Sequence, residues 1–151
     1  MMRRLLKSNQ RGFTLIELMV VITILALLGG IVMPRVIGRL RQARPQKAAI
    51  DIKQIGLALD MYAADNGMYP TTEQGLDALV TKPTSQPEPL NWVESYVDPT
   101  KFLDPWGNPY VYESPSQHEG YDYDLYTLGA DGQEGGEGEN ADVTNWLQET
   151  E

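Results

Sequence analysis

The chain has 151 residues, room for one modest domain beside a long helix, and its mean hydropathy of −0.35 makes it polar outside one greasy stretch. It carries 12 basic and 21 acidic residues for a net charge of −9, and beyond Lys53 only Lys82 and Lys101 are basic. That balance argues against nucleic acid and anionic membrane surfaces as partners of the body and is compatible with cation binding. There is no cysteine, so neither a disulfide framework nor a thiol nucleophile exists.

The chain opens on a basic leader with Arg3, Arg4, Lys7 and Arg11 and no acid, ending at Gly12. From Phe13 to Met33 it is apolar except for Thr14, Thr23 and one charge, Glu17. A helix of this length, at ~1.5 Å per residue, covers roughly 30 Å, about one bilayer core. The run is too long for a signal-peptide h-region, and no small-residue cleavage site closes it. A membrane anchor fits, but a carboxylate within it costs on the order of 3 kcal/mol, which marks Glu17 as functional rather than incidental. The bland alternative is a Glu17 that snorkels to the interface. If the chain is cut between Gly12 and Phe13, the new Phe13 amine lies four residues from Glu17, on one helix face. Between chains, the amine of one helix would then meet Glu17 of the next in a staggered bundle.

Gly12-Phe13-Thr14-Leu15-Ile16-Glu17 resembles the class III signal of type IV pilin-like proteins. The resemblance implies cleavage by a prepilin peptidase at Gly12–Phe13, N-methylation of Phe13, and Glu17 as the residue that joins subunits. It also implies a cytoplasmic leader. The charge count alone does not orient the span, because Arg35, Arg39, Arg41, Arg44 and Lys47 come closely after it.

Pro34, flanked by Gly29, Gly30 and Gly38, predicts a bend, and Pro45 a second disturbance. The pattern Val36, Leu40, Ala43, Ala48, Ile52, Ile55, Leu59, Tyr62 steps mostly by three and four, so one helix is expected over about 13–64. It reads as a transmembrane half, 13–33, and an amphipathic half, 34–66, stopped by Asp65-Asn66-Gly67. A globular domain is expected over 67–151. Within it, Thr71 with Gln74 makes a candidate capping box before a short helix carrying Leu76, Leu79 and Val80. Residues 81–90 are a proline-rich loop, and 92–97 a single turn. Asp104-Pro105-Trp106-Gly107-Asn108-Pro109 is a turn cluster before a strand at Tyr110-Val111-Tyr112, and a second strand runs from Tyr121 to Leu128. Asp122 and Asp124 read as the solvated face of that strand, and the tyrosines as core and cross-strand pairs.

Residues 129–142 hold five acids, five glycines and no base. Such a loop can turn carbonyls inward, and Asp131 and Asp142 at its ends could clamp Ca²⁺, which takes hard oxygens. The other reading of the same composition is a solvated, mobile loop. It is not an EF-hand, since Gln133 and Gly135 stand where acids belong.

Three further stretches, Y-P-T-T-E-Q-G-L at 69–76, D-P-W-G-N-P-Y at 104–110 and L-G-A-D-G at 128–132, with N-A-D-V-T-N-W at 140–146, resemble the major pseudopilin family of type II secretion systems. The resemblance implies an α+β, type IV pilin-like fold: a long N-terminal helix on a small antiparallel sheet, with a C-terminal calcium-binding loop. It implies Ca²⁺ held by the side chains of Asp131 and Asp142 and the carbonyls of Leu128 and Gln133, with Trp146 packing the chain end onto the domain. It implies an inner-membrane protein with its domain in the periplasm, polymerising into a pseudopilus that drives export of folded proteins across the outer membrane. Expected partners are other copies, the prepilin peptidase, minor pseudopilins, the inner-membrane assembly platform and membrane lipid.

No catalytic set is visible. His118 is the only histidine and sits in a polar loop, and there is no G-x-S-x-G elbow, Walker loop or G-x-G-x-x-G. The rivals are a type IV or minor pilin, which often has a C-terminal cysteine pair absent here, and a membrane-tethered calcium module that never polymerises.

Overall fold

The apolar run and the amphipathic stretch beyond it form one helix, α1 (Leu15–Asn66), in the computed structural model. The structure describes residues 12–146, without the side chains at 31, 32, 34–37, 40, 99 and 101. The expected leader therefore lies outside the described residues except for Gly12. Helical backbone runs without interruption through Pro34 and Pro45, so neither proline ends the helix. Gly67, at φ +77°, ends it where the Asp65-Asn66-Gly67 signal predicts, with its N–H on the Ala63 carbonyl at 2.8 Å.

Two compact units divide the chain, Met1–Arg39 and Leu40–Glu151. In the first, the described apolar side chains of α1, among them Leu15, Ile16, Leu18, Leu25 and Leu27, are at least half exposed. Among the described residues no helix is long and apolar enough to cross a membrane; the described apolar side chains are interrupted after Gly30.

In the second unit α1 buries Ala48, Ile52, Ile55, Ala58, Leu59 and Tyr62. These repeat at three and four residues, one face of a 3.6-residue helix. Ala43, expected on that face, is exposed. Val36 and Leu40 lie outside the described side chains. The face packs on Leu76, Ala78, Leu79, Tyr110, Tyr112 and Leu125. The expected capping box forms, with Thr71 N–H on Gln74 Oε1 at 3.1 Å and Gln74 N–H on Thr71 Oγ1 at 3.2 Å. The element it opens is a single 3₁₀ turn, Leu76–Leu79, rather than an α-helix. Residues 92–97 make no helical turn; Trp92 is instead held by its Nε1–H on the Ala78 carbonyl at 2.8 Å.

The sheet is antiparallel in the order β1 (Val111–Glu113), β2 (Asp124–Thr127), β3 (Val143–Thr144). Tyr112 faces Leu125 and Thr127 faces Val143 across it. β2 is shorter than the expected 121–128. Tyr121 to Tyr123 precede it, and Tyr123 packs instead between Tyr69 and Tyr112, at centroid distances of 5.1 and 5.9 Å. The turn cluster before β1 is organised by buried Asp104. Its carboxylate accepts from Trp106 N–H at 2.9 Å and Asn108 N–H at 2.8 Å, and from the hydroxyl of Thr127.

Candidate functional site

The first candidate region is the head of α1. Thr14 is its N-cap. The Thr14 N–H and hydroxyl both donate to Glu17 Oε2 at 2.9 Å, and Glu17 N–H returns to Thr14 Oγ1 at 3.2 Å. This is a reciprocal capping box, and it was legible as T-x-x-E. Phe13 precedes the cap and is 83% exposed. The helical four-residue spacing therefore does not carry Phe13 onto the face of Glu17, because the helix begins only at Leu15. Gly12 is likewise exposed and outside the helix.

The second region is the return between β2 and β3. Ala130 N–H donates to the Glu139 carbonyl at 2.8 Å, which folds the loop back on itself. Gly129, at φ +68°, is buried where a Cβ would stand 2.8 Å from backbone atoms of Glu139 and Asn140. Only glycine tolerates both the left-handed backbone and that approach. On the outer side, Glu139 meets Arg41 Nε at 3.5 Å and Arg44 Nη1 at 3.4 Å.

The four residues expected to hold an ion fall into two pairs. Leu128 and Asp142 line a cleft of about 430 Å³, together with Glu113, His118, Asp124, Tyr126, Glu134 and Trp146. Asp131 and Gln133 do not line it. They are exposed, and Asp131 Oδ1 accepts the Gln133 N–H at 3.2 Å. Asp142 Oδ2 accepts from Gly135 N–H at 2.8 Å, while its Oδ1 is buried with nothing to accept from. A buried anionic oxygen without a donor is costly, and a hard cation is the partner that would relieve it. Among the described residues no three carboxylate or imidazole groups gather as a metal cluster, so an ion here would draw on carbonyls as well. The cleft is nonetheless strongly negative. Burial, then the charges of Glu113, Glu134, Asp124 and Asp142, push the Tyr126 phenol above its ordinary value.

Two residues on this cleft depart from their expected surface roles. Asp124 is not on a solvated face; it is 2% exposed. Its oxygens accept from Ser116 Oγ at 2.5 Å, from Gln117 N–H at 3.0 Å, and from His118 Nδ1 at 3.0 Å. Burial works to raise its pKa, but these donors outweigh it and hold the carboxyl below the ordinary 3.8. His118 also stacks on Trp146 with centroids 4.0 Å apart and 17° between planes. Tyr126 meets Trp146 edge-on at 5.3 Å, so the chain end does pack onto the sheet. The signal was available in the run Ser116-Gln117-His118, three donors poised eight to six residues before Asp124.

The chain matches the family described as "Type II secretion system (T2SS), protein G" over residues 35–146, and the "Prokaryotic N-terminal methylation motif" over residues 7–33. It is 51% identical over 140 residues to the "Type II secretion system core protein G" of Pseudomonas aeruginosa, covering 93% of this chain and 97% of that one. It is 53% identical over 138 residues to the protein of the same name from Vibrio cholerae, with coverages of 91% and 92%. Its fold is similar to the crystal structure of the major pseudopilin from the type 2 secretion system of enterohaemorrhagic Escherichia coli. That match has 42% identity and a TM-score of 0.60, and it covers 73% of this chain and 92% of that one. With similarity reaching from the basic leader to the final tryptophan, the chain belongs to the type II secretion system protein G family.

Proposed function

We propose that this chain is the major structural subunit of a type II secretion pseudopilus, a polymer rather than an enzyme. The observation that carries the reading is the continuous family match joined to a methylation motif at the head of α1. In this reading the leader is cut at Gly12–Phe13 by a prepilin peptidase and Phe13 is N-methylated. The apolar half of α1, residues 13–33, sits in the inner membrane, and the acidic domain stands in the periplasm. Losing the four leader bases would take the net charge from −9 to −13. Copies join by packing their helices, with Glu17 serving assembly beside the Phe13 amine of a neighbour. The filament meets minor pseudopilins and the inner-membrane platform as it drives folded proteins outward.

We further propose that the loop takes Ca²⁺ through Asp142 and Asp131, with the Leu128 and Gln133 carbonyls. The unpartnered Asp142 Oδ1 supports this. A bound cation would neutralise the cleft and hold the β2–β3 return closed. This chain's own contribution is the fold-back fixed by the Ala130–Glu139 hydrogen bond and the tight approach at Gly129.

Two measurements test the reading. Glu17→Gln should abolish filaments while membrane insertion, read by fractionation, stays normal; filaments at the wild-type level would defeat the assembly role. Chelation should lower the melting temperature of the detergent-solubilised chain, and Asp142→Asn should reproduce that loss without chelator. Identical melts with and without chelator would remove the ion.

A further inference from the structure

Glu139 acts twice. Its carbonyl holds Ala130 and closes the loop, while both oxygens of its carboxylate reach α1, one to Arg41 and one to Arg44. Its backbone is pinned from two sides. Gly129 presses on residues 139 and 140, and Gly136, at φ +92°, would place a Cβ 2.7 Å from the Asn140 carbonyl oxygen. The carboxylate is thus presented from a fixed position. An ordinary surface ion pair loses much of its worth to side-chain entropy, and pre-setting one partner lessens that loss. Arg41 and Arg44 open the second compact unit, which begins at Leu40.

We propose that Glu139 is a positioning residue that couples cation loading of the loop to fixation of the Arg41–Arg44 turn of α1. The inference rests on the calcium reading above. A cation that holds the loop closed also holds Glu139 in reach of the helix. By reciprocity, the two arginines favour the closed loop and so favour the cation. Field effects alone predict the opposite sign. Two guanidinium groups near a cation site repel the cation, so removing them would tighten binding.

The decisive variant is Arg41→Gln/Arg44→Gln in the full chain in detergent, titrated with Ca²⁺ by calorimetry. Glutamine keeps helix propensity close to that of arginine and touches no expected ligand. Coupling predicts a Kd for Ca²⁺ weaker by about two- to fivefold, the range of a partly exposed pair. Unchanged or tighter binding overturns the proposal. Hydrogen exchange gives a second readout. Calcium should slow the amides of 41–47 in the wild type but not in Glu139→Gln, while still slowing 129–142 in both. Slowing of 41–47 in Glu139→Gln also overturns the coupling. A wild-type chain that binds no Ca²⁺ would instead defeat the reading underneath, and the coupling with it.

Discussion

Gly129 and Gly132 offer a matched pair for measuring what closes the loop. Both have a left-handed backbone, at φ +68° and +65°, but a Cβ on Gly129 meets backbone atoms at 2.8 Å, whereas one on Gly132 meets nothing within 4 Å. Gly132→Ala therefore costs only conformational strain, about 1–2 kcal/mol. Gly129→Ala carries the same strain, and the carbonyl region of 139–140 must also move. That adds about 1–3 kcal/mol of overpacking and about 1 kcal/mol for the Ala130–Glu139 hydrogen bond. The total is about 3–6 kcal/mol. At ~4 °C per kcal/mol for a unit of this size, Gly132→Ala should melt about 4–8 °C below wild type and Gly129→Ala about 12–24 °C below. The assay is thermal unfolding of the detergent-solubilised chain followed by near-UV circular dichroism, which reports the Trp146 and tyrosine packing directly. Equal losses in the two variants would refute the claim that backbone approach, rather than backbone strain, holds the loop.

Three other outcomes are expected. Gly56→Ala should destabilise α1 despite its better helix propensity, because the new Cβ stands 2.8 Å from the Tyr123 hydroxyl; in a Tyr123→Phe background the same change should gain about 1 kcal/mol, and a double-mutant cycle in urea reads the difference. Asp124 has a folded pKa below its unfolded 3.8, so its contribution is present above about pH 4 and lost as pH falls through the folded value. Asp124→Asn should cost about 1–3 kcal/mol at pH 7 and flatten the acid limb of stability between about pH 5 and 2, measured by urea titration. At the alkaline end, burial first of all raises Tyr110, Tyr112 and Tyr123 above 10.0, and raises Tyr69 to about 12. Stability from these phenols is present below about pH 10 and lost as pH rises toward the folded values, so absorbance at ~295 nm should climb together with loss of far-UV dichroism. Ionisation of all eight tyrosines near their ordinary 10.0 with the fold intact would contradict this.

The long helix, its stop at Gly67, its buried stripe from Ala48 to Tyr62 and the strand around Val111 were legible because each is written in local periodicity or turn chemistry. β3 was not, since two residues, Val143 and Thr144, carry no period and exist as a strand only because β2 offers them an edge. Asp124 misleads for a related reason. Alternation with tyrosine predicts a wet face, but the loop before it brings a hydroxyl, an amide and an imidazole to one carboxylate, and such tertiary satisfaction has no signature in spacing. At the head of the helix two local rules compete for the same residue. The pattern that flags Thr71 with Gln74 applies equally to Thr14 with Glu17, yet an acid inside an apolar run reads first as a burden in lipid and only then as a cap. In the loop, glycine-rich composition suggests slack, and two of those glycines prove to be places where backbone meets backbone.

Thr14 and Glu17 shape the leading edge of the rod using only atoms downstream of Gly12. Severing the chain at that glycine takes away none of these bonds. A freshly trimmed copy thus needs no remodelling of its tip, and the blunt end it shows while idle is the one it brings to the growing fibre.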